Sequence, residues 1–184
     1  MTVGYLANIK FLVVDDNAFM RTIVRRVLAT LETGEVKEAA DGGDALKLMK
    51  TFTPDIAIVD WEMQPIDGIE FVKMVRMADD SPNSFLPVIM LSGYSDTNRI
   101  LIARDAGINE FVVKPISVKT LYNRIQNVIE RPRQFVRTKS YFGPDRRRKE
   151  AKFEGDDKRG TTPIPPLDES LDQDKVNTLF NPDG

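Results

Sequence analysis

Over the first 130 residues, short apolar runs alternate with stretches whose apolar residues return every three or four positions. The runs are IKFLVV (9–14), VKEAA (36–40), DIAIVD (55–60), PVIML (87–91) and EFVVK (110–114). Each has the length of a buried strand. Between them Phe19, Ile23, Val27 and Leu31 recur every four residues, as do Leu121, Ile125 and Ile129, and each set predicts one face of a helix. Ala45, Leu46, Leu48 and Met49 predict another, and Ile69, Val72 and Val75 a further one. Residues 97–106 predict a fifth, with Gly107 placed as its C-cap. Five strand–helix repeats predict a parallel sheet covered on both faces. Parallel strands need crossovers, and right-handed crossovers lay helices on the faces.

The alternation stops at Glu130. RPRQFVRTKSYFGPDRRRKE (131–150) has no sustained period, and 151–184 is rich in Pro, Asp and Gly around TTPIPPLDES. That last segment is too poor in apolar surface to offset the entropy of ordering it, so a disordered tail is expected. The chain divides into a folded domain (1–130), an arginine and aromatic extension (131–150) and an acidic, Pro-rich tail (151–184).

Composition narrows the chemistry. The 184 residues include no Cys and no His, which excludes disulfides, thiolate zinc sites, thiol catalysis and imidazole as general base or metal ligand. No apolar run approaches the ~20 residues of a membrane helix, and no leader pattern is evident, so a cytoplasmic protein is expected. The net charge of −2 is unevenly spread. Residues 1–130 carry 14 Lys/Arg against 18 Asp/Glu, 131–150 carry 8 against 2, and 151–184 carry 4 against 8. A short basic block between acidic segments implies a local interaction surface rather than general nucleic-acid affinity.

In an open parallel sheet, ligands collect beyond the carboxyl ends of the strands. There the sequence places Asp15 and Asp16 after the first strand, Asp60 at the end of the third, Ser92 after the fourth and Lys114 after the fifth. Three crowded carboxylates with no His or Cys call for a hard cation with oxygen ligands, Mg²⁺ above all. Mg²⁺ commonly combines one or two carboxylates with phosphate oxygens. Lys114 offers a compact charge for a phosphoryl group, and a carboxylate beside metal and ammonium can act as a nucleophile.

The motifs VVDD, VDWEM…DG, MLSG and VVKPI, in this order and spacing at successive strand ends, resemble the CheY-like receiver domain of two-component response regulators. The resemblance covers roughly residues 8–130. It implies a doubly wound (βα)5, flavodoxin-like fold, with Asp60 as phosphoacceptor and Mg²⁺ held by Asp15, Asp16, Asp60 and the Glu62 backbone carbonyl. It further implies Lys114 and Ser92 at the phosphoryl group, Phe111 at the switch aromatic position and a cis Lys114–Pro115 peptide. The chain departs from the family where Gln64 precedes Pro65, and in having Phe rather than the common Tyr at 111. Trp61 and Tyr94 are placed beside the site, where they would control access of water.

The resemblance implies a phosphohistidine donor, on a histidine kinase or a histidine phosphotransfer protein. The phosphorylated state would be read by a downstream protein, such as a flagellar motor component or another kinase. No helix pair after Glu130 suits a helix-turn-helix, so direct DNA binding is not expected. The extension is similar to the arginine-rich tails of CheY-like receivers that bind cyclic di-GMP. Arg137, Tyr141, Asp145, Arg146, Arg147 and Arg148 are the candidate ligands, through guanidinium stacking, phosphate forks and a carboxylate on the guanine edge. Two other readings remain: a receiver scaffold that is never phosphorylated, and an aspartyl-nucleophile phosphatase. The latter is disfavoured because DDNAF lacks the DxD spacing.

Overall fold

A computed structural model describes residues 4–146. Arg147, Arg148 and the tail 151–184, with the expectation of disorder attached to it, lie outside the described residues. Strands β1 (Phe11–Val14), β2 (Val36–Ala39), β3 (Ile56–Asp60), β4 (Val88–Ser92) and β5 (Glu110–Val113) form one parallel sheet in the order β2-β1-β3-β4-β5. This is the expected doubly wound (βα)5 arrangement. β1, β3 and β4 are buried at every position, which is why each reads as an unbroken apolar run. β2 is one of the two edge strands, and its Lys37 and Glu38 face solvent.

Alternate side chains feed two cores. Phe11, Val13, Ile58, Ile89 and Val112 pack with helices α1 (Ala18–Thr30) and α5 (Val118–Glu130). Leu12, Val14, Val59, Met90 and Phe111 pack on the other face, with α2 (Gly42–Met49), α3 (Gly68–Met77) and α4 (Thr97–Ala106). Gly107 ends α4 at φ +102°, the left-handed conformation that suits glycine. Lys114–Pro115 is cis as expected, and Gln64–Pro65 is cis as well. Among the described residues no helix is long and apolar enough to cross a membrane.

The stripe expected on α1 is displaced. Its buried side is Val24, Val27 and Leu28, whereas Phe19 is 71% exposed. Steps of four residues overshoot each helical turn, so Phe19 and Leu31 stand about 120° apart around the axis. One face cannot bury both ends of that series.

Residues 131–146 are folded despite their lack of period. β6 (Phe135–Arg137) and β7 (Phe142–Pro144) form an antiparallel hairpin, with Phe135 opposite Pro144 and Arg137 opposite Phe142. Thr138 N–H donates to Tyr141 O at 2.8 Å, and Asp145 N–H to Gln134 O at 2.7 Å. Phe135 and Phe142 close on Phe85 of the α3–β4 loop, with ring centroids 5.0 to 5.6 Å apart. Beneath them Arg76 of α3 is 2% exposed. Its guanidinium donates to Gly107 O (3.0 Å), Ser84 O (2.9 Å) and Asn109 Oδ1 (3.4 Å), and lies 5.1 Å from the Phe135 ring. Arg146 reaches Asp105 of α4 at 2.9 Å. The extension is thereby bound to α3, α4 and the loops that precede β4 and β5.

Phe142→Ala removes the ring shared by Phe85 and Phe135, at a cost of about 3 kcal/mol to the docked hairpin. In hydrogen exchange, the amides of Thr138 and Asp145 should lose protection while Ala57, bonded to Pro87 O in the sheet, keeps it. Unchanged protection at Thr138 would mean the aromatic cluster does not hold the hairpin.

Candidate functional site

The register of the central strands brings the expected residues to one rim. Asp60 pairs with Leu91, Trp61 N–H donates to Leu91 O at 2.9 Å, and Lys114 N–H donates to Ser92 O at 2.8 Å. The ends of β1, β3, β4 and β5 therefore stand side by side. Gly68 lets α3 begin against the Asp60 backbone, where any Cβ would collide with the Asp60 carbonyl.

Asp15, Asp16 and Asp60 each offer a carboxylate oxygen within 4.8 Å of the other two. Lys114 Nζ lies 2.9 Å from Asp60 Oδ1 and 3.6 Å from Asp15 Oδ2. Asp15 is 1% exposed and Asp60 6%, whereas Asp16 faces solvent. Burial pushes the carboxyls of Asp15 and Asp60 above the usual carboxylate range. Lys114 pulls both the other way, and the Asn17 N–H does so at Asp15, but neither outweighs desolvation. Arg21 adds little neutralisation: its Nη1 takes the backbone carbonyls of Asp15 (2.7 Å) and Asp16 (3.4 Å), and its Nε pairs with Glu38.

Asp15 Oδ1 accepts from Asn17 N–H at 2.8 Å, but buried Oδ2 has no hydrogen-bond partner. An orphaned carboxylate oxygen beside two further carboxylates, with oxygen the only donor atom available, fits a hard divalent cation such as Mg²⁺.

The flanking residues also assemble here. Ser92 is 1% exposed, and its Oγ accepts from Tyr94 N–H at 3.0 Å. Phe111 is fully buried on β5, edge-on to Trp61 at 6.5 Å. Glu62 sends its carboxylate outward to Arg99 Nη1 at 3.1 Å. Arg99 is the residue that motif reading missed. From the first turn of α4 it stacks on Tyr94 (4.2 Å) and Trp61 (5.3 Å), joining the two aromatics expected beside the site. Only its position three residues after the N-cap Asp96 hinted at a fixed place.

The extension candidates lie elsewhere. The hairpin packs on Phe85 and Gly107, which precede β4 and β5, so it sits at the opposite pole, about 16 Å away along a five-residue strand. Tyr141 is 6% exposed and donates its hydroxyl to Pro144 O at 2.7 Å. Its ring is buried, with its hydroxyl spent on the backbone of the hairpin itself. Arg146 covers that ring at 4.4 Å, and Arg137 covers Phe142 at 4.5 Å. Asp145 flanks the end of β7.

Residues 11–126 match the family model described as the response regulator receiver domain. The chain is 36% identical over 124 residues to chemotaxis protein CheY-3 of Vibrio cholerae, covering 67% of this chain and 94% of that protein. It is 34% identical over 122 residues to chemotaxis protein CheY of Pseudomonas aeruginosa, covering 66% and 97%. The solved structure of Vibrio cholerae CheY4 superposes with a TM-score of 0.61 at 34% identity, covering 66% of this chain and 99% of that one.

The raised carboxyls fix a direction for stability. A folded-state value above the unfolded one means that protonation favours the fold. The benefit is full below the ordinary carboxylate range and is lost as pH rises through the raised values. Asp15→Asn should therefore raise the metal-free melting temperature at pH 7 by about 3 °C, with the gap closing in acid. The same variant should lose the stabilisation that added Mg²⁺ gives the parent protein. A parent chain whose melting is indifferent to Mg²⁺ at pH 7 would contradict the metal assignment.

Proposed function

The chain belongs to the response regulator receiver family, and from that premise we propose that it accepts a phosphoryl group on Asp60 from a phosphohistidine donor. The observation that carries this reading is the buried pair Asp15 and Asp60 beside half-buried Lys114, with Asp15 Oδ2 lacking a hydrogen-bond partner. Such a site is short of positive charge until a cation is in place, and that cation would join Lys114 in offsetting the charge of an incoming phosphoryl group. Asp15, Asp16, Asp60 and the Glu62 carbonyl would hold Mg²⁺, which when bound neutralises developing charge on the phosphoryl oxygens.

The chain's own residues supply positioning. A carboxylate oxygen of Asp60 attacks phosphorus, forming an acyl-phosphate O–P bond as the N–P bond of the donor imidazole breaks. Lys114 then moves its ammonium from the carboxylate to a phosphoryl oxygen. Ser92 releases the Tyr94 N–H and turns its hydroxyl towards the phosphate, and Phe111 takes up the space that it leaves. Phe111 has no hydroxyl, so packing against Trp61 decides its position. The face of α4, β5 and α5 changes shape as a result, and a downstream protein reads it. That target is a flagellar motor component or another kinase, with no direct contact to DNA. The donor is a histidine kinase or a histidine phosphotransfer protein. Beyond its own phosphotransfer and dephosphorylation the domain catalyses nothing.

For the extension, the finer proposal is cyclic di-GMP bound by its arginines. Exposed Arg137 and Arg146 support it, since their guanidinium planes already stack on rings and could exchange them for guanine.

Asp60→Asn should abolish stoichiometric labelling by acetyl phosphate, seen as loss of the mass increase of the intact protein. Persistent labelling would refute the acceptor, and absence of labelling in the parent with Mg²⁺ would favour the scaffold reading. Steady turnover of a phosphomonoester would favour the phosphatase. Calorimetric titration of cyclic di-GMP into the full chain should give saturable heat that disappears in Arg146→Ala; no heat in the parent ends that proposal.

A further inference from the structure

A cleft of about 220 Å³ opens between the hairpin and the α3–β4 loop. Its lining includes Arg76, Arg137, Asp79, Ser81, Thr138 and Phe142. Arg76 directs its three bonds to neutral acceptors, the carbonyls of Gly107 and Ser84 and the Asn109 amide oxygen. Two of its five N–H groups are left over. Arg137 rests its plane on Phe142, with its N–H edge unused among the described residues. Among the described residues no carboxylate pairs with either guanidinium, Asp79 in the same cleft included. Burial lowers Arg76 to about 10, the effect of keeping its charge from water.

We propose that this cleft binds hydrogenphosphate or the singly protonated form of a phosphate monoester, with Arg76 and Arg137 taking the charged oxygens and Asp79 accepting the hydrogen bond of the P–OH. Two guanidinium groups lining one cleft, from α3 and β6, suit a tetrahedral oxyanion. The volume lies below the ~300 Å³ at which pockets for larger ligands begin, so it admits one phosphate group and not a dinucleotide. Asp79 sets the selectivity: sulfate at neutral pH brings no proton and would meet a bare carboxylate. Because Arg76 belongs to the receiver and Arg137 to the hairpin, a bound anion joins the two. Arg146 on Asp105 carries that junction to α4. The site lies at the pole opposite Asp60 and does not depend on Asp60 being the acceptor.

The test is a titration of the full-length protein, free of Mg²⁺, with sodium phosphate, sodium sulfate and ribose 5-phosphate at matched ionic strength. The readouts are the Thr138 and Ser81 amides and the Arg76 Nε–H in NMR spectra. Phosphate should give saturable shifts there, and sulfate should bind about ten-fold more weakly. Arg137→Gln should weaken phosphate about ten-fold. Asp79→Asn should bring sulfate level with phosphate, and Asp60→Asn should leave binding unchanged. Tighter binding of ribose 5-phosphate than of phosphate assigns the site to a monoester; the reverse assigns it to the free ion. Shifts that do not saturate, or that survive Arg137→Gln, overturn the proposal, as does a sulfate affinity equal to that of phosphate in the parent protein.

Discussion

The desolvated charge at the carboxyl end of the sheet governs the rest of the molecule. Asp15 and Asp60 are almost wholly buried, and the one ammonium between them does not offset their burial. A core of this quality would ordinarily exclude such a pair, since an ionised carboxylate taken from water without full compensation costs several kcal/mol. Here the surrounding elements leave the pair no retreat. β1 and β3 are hydrogen-bonded neighbours, and Gly68 seats α3 directly on the Asp60 backbone. The strain is electrostatic, and a hard cation of the kind these oxygens fit would relieve it.

That condition explains why neighbouring residues have uneven tasks. Arg21 stands close to both aspartates yet binds their backbone carbonyls, so it shapes the loop without cancelling its charge. Arg99 spans two aromatic rings and Glu62 across the rim, tying the start of α4 to the β3–α3 loop. Ser92 and Phe111 lie on β4 and β5, and Phe111 belongs to the core that also takes in Ile100 and Ala103 of α4.

The opposite pole has the reverse imbalance. Buried Arg76 has carbonyl dipoles and an aromatic face around it in place of a carboxylate. The hairpin exists because Phe85, Phe135 and Phe142 need one another and Arg76 needs a roof; three-residue strands would not persist alone. The extension is joined to the receiver through packing, and through Arg146 on Asp105 to the helix that the phosphoryl switch is proposed to move.

By itself the sequence determined the five strand–helix repeats, their two-faced burial and the residues at the strand ends. Strand-length apolar runs are local signals, and in a parallel sheet every strand delivers its last residue to the same rim. Tertiary structure decided the rest. Which side of α1 is buried depends on the sheet beneath it, so Phe19 turned outward although its spacing matched Ile23 and Val27. The fold of 131–146 depends on Phe85 and Arg76, some fifty residues earlier, and no pattern internal to that segment contains them. Tyr141 likewise resembled a ligand-facing ring among arginines until its hydroxyl closed on Pro144. Periodicity records which residues want burial; only contacts distant along the chain decide against what they are buried.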